Sequence, residues 1–282
     1  MTIAVRIIPR LDIKGPNLVK GIHLEGLRVL GKPERFARYY YETGADELVY
    51  MDCVASLYCR NSLHEIITKT AKEVFIPLIV GGGLRTLDDI RDVLRAGADK
   101  VCINTAAVKN PAFITDASKK FGSSTILIAI EAIKQPDGHY LAYTDNGREY
   151  TGLEVLQWAK HVEELGAGEI MITSIDREGT GLGYDVQLTK MISDNVSIPV
   201  IACGGAGRIE HIAEVINEGR SDAVAIASIL HYDFIKNNMP KVDRNEEGNT
   251  EFLRKRIDFS KIETNDLHAI KGYLRKKNIN CR

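Results

Sequence analysis

Residues 77–105 read PLIVGGGLRTLDDIRDVLRAGADKVCINT, and this stretch decides the fold. It opens on a short apolar run, as a strand covered on both faces requires. Three glycines follow, then the amphipathic helical pattern Leu87–Ala96, then a second apolar run at Lys100–Asn104. The same unit recurs outward in both directions. Further candidate strands lie at Val5–Leu11, Glu47–Asp52, Thr125–Ile130, Glu169–Ser174, Pro199–Ala202 and Ala223–Ala227. Further helical patterns lie at Pro33–Thr43, Pro111–Phe121, Gly152–Leu165 and Ile209–Glu218. Eight strands, each followed by a helix-like segment, predict an α/β chain folded as a single (β/α)8 barrel. A doubly wound open sheet is the runner-up, but no G-x-G-x-x-G follows the first strand.

The chain also resembles itself. GGLRTLDDIRDVLRAG (82–97) lines up with GGAGRIEHIAEVINEG (204–219), and ETGADEL (42–48) with ELGAGEI (164–170), both at one offset of a little under half the chain. Close to that offset, Asp99 and Thr105 meet Asp222 and Ser228, and Asp12 meets Glu131. The offset is too long for a solenoid repeat of 20–50 residues. It predicts two four-strand halves closed into one barrel, spanning 1–282 as one domain. A charged, turn-rich segment at about 236–262 follows strand eight and precedes a last helix near Asp266–Lys277. It reads either as a lid over the site or as a solvated excursion.

The 282 residues carry 37 basic and 38 acidic side chains, for a net charge of -1. That balance argues against a whole-chain nucleic-acid binder or a polybasic membrane protein. No apolar run approaches the roughly 18 residues of a spanning helix, and MTIAVRIIPRLD does not read as a signal peptide. Five cysteines without a C-x-x-C pair argue against a disulfide framework, and Cys53, Cys102 and Cys203 read as small buried hydrophobes. A cytoplasmic protein is expected. The seven histidines are scattered, so neither a metal nor a redox cofactor is called for.

In such a barrel the C-terminal ends of the strands carry function. Here they bear Asp12, Asp52, Gly81–Gly83, Asn104 with Thr105, Glu131, Thr173 with Ser174, Gly204 with Gly205, and Ser228. Glycine lets backbone approach an oxyanion, and free N–H groups at a helix start hold it. Two anion sites follow, 82–105 and 204–228, on opposite sides of the ring. Together they suit an elongated ligand with a phosphate at each end. Asp12 and Glu131 form a candidate base and acid pair. Lys20, in the long loop after strand one (Ile13–Lys32), reads as a residue that closes over the substrate, or as part of a solvated surface loop. At the opposite strand ends, Arg6, Glu47, Lys100 and Glu169 read as a polar ring that gates a small molecule, or as charges that support stability.

RIIPRLDIK, LVKGI, GADELVYMD, VGGGLRT, ADKVCINTAAV, GAGEIMITSIDREGT, GYD and PVIACGGAG resemble the cyclase subunit of imidazole glycerol phosphate synthase. The resemblance runs from Val5 to about Tyr232 and over the last helix. It implies a lyase of histidine biosynthesis, paired as a heterodimer with a class I amidotransferase glutaminase docked on the base. Ammonia crosses the barrel and attacks a bisphosphorylated ribulosyl substrate. Imidazole glycerol phosphate and aminoimidazole carboxamide ribotide result. By the same resemblance Asp12, Glu131 and Lys20 are catalytic, and Arg6, Glu47, Lys100 and Glu169 form the ammonia gate. Asp52, Gly83, Asn104, Thr105, Thr173, Glu178, Gly179, Gly205 and Ser228 bind substrate and its phosphates.

Three departures stand out. Glu131 and Glu178 replace the family's usual aspartates, Arg10 replaces its usual cysteine, and segment 236–262 is added. Arg10 shares a strand face with Asp12 and is expected to pair with Glu131 or with an anionic substrate group. The resemblance leaves a second role open: a paralogue that, with its own glutaminase-like subunit, supplies nitrogen for acetamidino groups on surface sugars. A scaffold barrel without chemistry of its own is a third reading. The histidine-pathway chemistry is placed ahead because both phosphate sites are intact.

Overall fold

The computed structural model describes residues 4–55, 63–238 and 261–282. Its strands are β1 (Arg6–Lys14), β2 (Asn17–Ile22), β3 (Glu25–Gly31), β4 (Leu48–Asp52), β5 (Leu78–Gly81), β6 (Lys100–Ile103), β7 (Ile126–Lys134), β8 (Tyr140–Thr144), β9 (Glu149–Glu154), β10 (Glu169–Ser174), β11 (Val200–Cys203) and β12 (Ala223–Ile226). Eight of them, β1, β4, β5, β6, β7, β10, β11 and β12, pair in parallel and close when β12 returns to β1. The barrel expected from the apolar runs is therefore present, with every predicted strand in place. Along β1, Arg6–Pro9 pairs with β12 and Arg10–Ile13 with β4. That stagger tilts the strands, as closure requires.

Strand alternation sorts β1 into two faces. Ile7, Leu11 and Ile13 join the core between barrel and helices, while Ile8 joins a separate inner core. The inner core fills the bore with Ile8, Val49, Ile79, Cys102, Leu127, Ala129, Met171, Ile201, Cys203, Ala223 and Ala225. Cys53, Cys102 and Cys203 are buried free thiols, as small hydrophobes should be.

Two elements differ from the sequence reading. The stretch after β1 is not a long loop. It is the hairpin β2–β3, with β2 antiparallel to β1. A second hairpin, β8–β9, follows β7 in the same relation, and the helix expected from Gly152 starts only at Val155. Both hairpins turn on two left-handed residues, His23 with Leu24 and Asp145 with Asn146. Each half-barrel thus opens with a nine-residue strand and a hairpin folded back on it.

The repeat extends to single hydrogen bonds. The Asp99 carboxylate accepts the Leu78 N–H at 2.8 Å, and the Asp222 carboxylate accepts the Val200 N–H at 2.9 Å. Each ties its own strand's start to the strand before it. Residues 239–260, most of the charged segment, lie outside the described residues. Among the described residues no helix is long and apolar enough to cross a membrane.

The bore is close-packed, so a void there should not collapse. Ile201→Ala is expected to cost about 2–5 kcal/mol of unfolding free energy, read as a lower urea midpoint with the circular dichroism spectrum kept.

Candidate functional site

β1 carries the site's plan in its inward residues, Arg6, Ile8, Arg10 and Asp12: charge, apolar plug, charge. At the strand starts, Arg6 meets Glu47 at 3.0 Å and also binds Glu169. Lys100 meets Glu47 at 3.3 Å and Glu169 at 3.2 Å. The four predicted gate residues therefore form one closed ring of alternating charge. A buried ion without a partner costs several kcal/mol, so the alternation is what lets four charges share the mouth of an apolar bore.

A second group of four lies at the strand ends. Arg10 Nε donates to Asp12 Oδ1 at 2.9 Å. Lys20 Nζ lies 4.0 Å from Asp12 Oδ2 and binds Glu178. All four are buried. Burial works against the charge of Arg10 and of Lys20, and their carboxylate partners more than restore it. The ion-pair partner of Arg10 is Asp12, where Glu131 or an anionic substrate group was expected, because residues two apart on a strand stand side by side. Arg10 Nη1 also reaches Thr173 Oγ1 at 3.3 Å and Cys203 Sγ at 3.1 Å.

Lys20 arrives on the β2–β3 hairpin, which is fastened down at its tip. The His23 N–H donates to the Glu178 carbonyl at 2.8 Å, and Asn146 Nδ2 donates to the Leu24 carbonyl at 2.9 Å. A Cβ on Gly179 would lie 2.4 Å from the Gly21 carbonyl, so only glycine lets loop and hairpin close so tightly. The two hairpins thus meet above the barrel.

Glu131 stands apart from the four. Its Oε2 accepts the Gly147 N–H at 2.7 Å. Burial raises its pKa to about 7 from an ordinary 4.5, against the opposing effects of Arg10's charge and of hydrogen bonds from Gly147 and Asn104. It lines a cavity of about 150 Å³ with Arg10, Asp52, Gly82, Gly83, Asn104 and Thr105. Asp52 Oδ1 also caps the turn by accepting the Val54 N–H at 3.0 Å. Asn104 Nδ2 donates to the Tyr143 carbonyl at 3.3 Å. Thr105 Oγ1 donates to Asp145 Oδ1 at 3.4 Å and accepts the Asp145 N–H at 3.2 Å, so an oxyanion taking this hydroxyl's proton does so in place of the Asp145 carboxylate.

Across the barrel, Arg10, Glu178, Gly179, Gly205 and Ser228 line a second cavity of about 10 Å³, no more than one water molecule. Gly205 has φ 108°, and a Cβ there would lie 2.1 Å from the Gly183 carbonyl. The two glycine turns are thus on opposite sides, as the repeat implies, and Arg10 borders both cavities. Among the described residues no group of three or more His, Cys, Asp or Glu side chains could hold a metal. His231 is a core histidine: burial pushes it down to about 3, and its Nδ1 meets the Tyr40 hydroxyl at 2.6 Å.

Sequence reading missed the contribution of β8–β9, whose turn supplies Asn146 to the first cavity and Gly147 to Glu131. The signal was there: YLAYT, then Asp-Asn-Gly, then EYTGLE, alternating runs around residues that tolerate left-handed turns.

A family model described as "Histidine biosynthesis protein" matches residues 6–236. The chain is 59% identical over 206 residues to an imidazole glycerol phosphate synthase subunit HisF from Legionella pneumophila, covering 73% of this chain and 97% of that protein. It is 48% identical over 231 residues to the subunit of the same name from Alkaliphilus metalliredigens (strain QYMF), covering 82% of this chain and 92% of that one.

The raised pKa of Glu131 sets a pH dependence. The fold holds this proton more tightly than the unfolded chain does. Stability therefore falls as pH rises from about 4.5 to about 7 and is level above that. Glu131→Gln titrates in neither state. It should be more stable than wild type by up to about 3 kcal/mol at pH 8, a difference that vanishes below pH 4.5 in urea titrations.

Proposed function

The chain belongs to the histidine biosynthesis protein family, and on that premise we propose that it is the cyclase subunit of an imidazole glycerol phosphate synthase, using ammonia on a bisphosphorylated ribulosyl substrate. One observation carries this reading. Asp12 and Glu131 sit at matching places of the two half-barrels, between two glycine turns and above an apolar bore closed below by four charges. The relatives' names favour it over the surface-sugar paralogue.

The relatives are named as subunits, and we assign the partner as a glutaminase docked on the base. Phe75, 74% exposed in the loop that leads into β5, offers that partner an apolar contact at the same face as the charged ring. Ammonia enters when Arg6, Glu47, Lys100 and Glu169 part. Neutral ammonia crosses the apolar bore far more cheaply than ammonium, whose charge would be buried unpaired.

At the top, the phosphates take the turns at Gly83 with Asn104 and Thr105, and at Gly205 with Ser228. The nine-tenths-buried Ser228 opens a ten-residue helix, whose free N–H groups favour an anion. The nitrogen adds to the ketose carbonyl. Asp12, as carboxylate, accepts the proton the attacking nitrogen sheds. Glu131, in its acid form, protonates the departing group. Cleavage and ring closure give imidazole glycerol phosphate and aminoimidazole carboxamide ribotide. Lys20 closes the site from β2, and Asp52, Thr173, Glu178 and Gly179 shape its walls. We place the reaction in the cytoplasm.

Purified protein should turn over the bisphosphorylated ribulosyl substrate with ammonium as the only nitrogen source. Asp12→Asn should lower kcat about 10²–10⁴-fold, the range of general acid–base catalysis. Absence of turnover at high ammonium, where a control cyclase is active, would sink the proposal. Unchanged pathway function in Asp12→Asn would favour the scaffold reading.

A further inference from the structure

We propose that Arg10 is a positioning residue that divides the labour between the two carboxylates, by pairing with Asp12 and facing Glu131 unpaired across the cavity. The inference rests on the cyclase reading and adds to it the device that makes one carboxylate the base and the other the acid.

The geometry is asymmetric. Asp12 has two cations on it, Arg10 at 2.9 Å and Lys20 at 4.0 Å. Glu131 receives neutral donors, the Gly147 N–H and the Asn104 amide. The guanidinium is clamped from three strands, by Asp12 on β1, Thr173 on β10 and Cys203 on β11. Its position is therefore fixed by packing rather than by substrate. It borders both cavities, so a ligand that reaches from one glycine turn to the other passes over it.

Charged and titratable groups reach Glu131 from several elements. Arg10 and Asp12 face it from β1, and the Cys102 thiol from β6. From β10 the residue in register is Thr173, which does not titrate. From β8 the residue in register is Tyr143. Arg85 and Lys109 also line the cavity, but the cation that acts on Glu131 is Arg10. Glu131, desolvated and held by neutral donors, keeps its proton into the neutral range, while Asp12 has two cations beside it. Removing Arg10's charge should raise the Glu131 midpoint, since the cation that opposes its protonation is lost. Removing Asp12's charge should lower it, since a like charge goes and Arg10 is freed to act on Glu131.

The readout is carboxyl ¹³C NMR titration of Glu131, alongside the pH profile of ammonium-dependent kcat. In wild type the midpoint is expected near 7. Arg10→Gln, which keeps a donor toward Asp12 but no charge, should move the midpoint and the alkaline limb of kcat upward by about half a unit or more. It should also lower kcat by about 10²-fold at unchanged KM, as for a misplaced catalytic group. Arg10→Lys, which restores the charge, should return the midpoint toward 7. Asp12→Asn, which keeps Arg10, should move it down.

A merely structural arginine would change thermal stability and leave the midpoint in place. An unmoved midpoint in folded Arg10→Gln overturns the assignment. So does a midpoint in Asp12→Asn that stays or rises, and this holds even if Arg10→Gln does not fold. Loss of turnover in wild type would instead overturn the cyclase reading, because the NMR titration needs no substrate.

Discussion

A charge that points into an apolar barrel must be neutralised where it stands, and this constraint organises the molecule. The bore is filled by aliphatic and thiol side chains. Below it, Arg6, Glu47, Lys100 and Glu169 close a ring of alternating sign. Above it, Arg10, Asp12, Lys20 and Glu178 alternate in the same way. Each group of four is formally neutral. The barrel thus holds four mutually paired charges at each end with an apolar plug between, where an unmatched ion would cost several kcal/mol.

The proposed chemistry draws on an acid left outside this pairing. Glu131 is buried with neutral donors, and burial brings its proton affinity into the neutral range. Asp12 is buried with two cations. Two carboxylates in matching halves of a repeat thus receive different environments, the usual route by which one site provides both a base and an acid. The half-barrel symmetry supplies the frame, and the departure from symmetry supplies the difference on which the proposed chemistry rests. The same holds for the two glycine turns, which match in sequence yet enclose cavities of about 150 and 10 Å³.

The top of the barrel is closed by two hairpins where the sequence reading expected a loop and a helix start. β2–β3 carries Lys20 down to Glu178, and β8–β9 carries Gly147 to Glu131. His23 and Leu24 adopt left-handed backbone at the first turn. Those residue types give no turn signal, which is why that stretch reads as a loop. Leu24 is accommodated because its side chain is buried where the two hairpins meet.

The sequence by itself determined the eight strands, the repeat, the bottom ring and the inward column of β1. Each rests on a period of two along a strand or on a local strand–turn–helix pattern, which residue order alone expresses. That Asp99 and Asp222 hold matching places was legible for the same reason, since each sits one residue before its strand. Only the tertiary structure decided what the inward residues do to one another. Arg10 pairs with Asp12 along its own strand, and closure of the barrel then fixes the guanidinium against Thr173 and Cys203. Lys20 is a buried ion-pair member because the hairpin folds over. Glu131 is left with neutral donors because the far hairpin delivers an amide. Pairing and desolvation depend on distances across the ring, and those distances exist only once eight strands have closed.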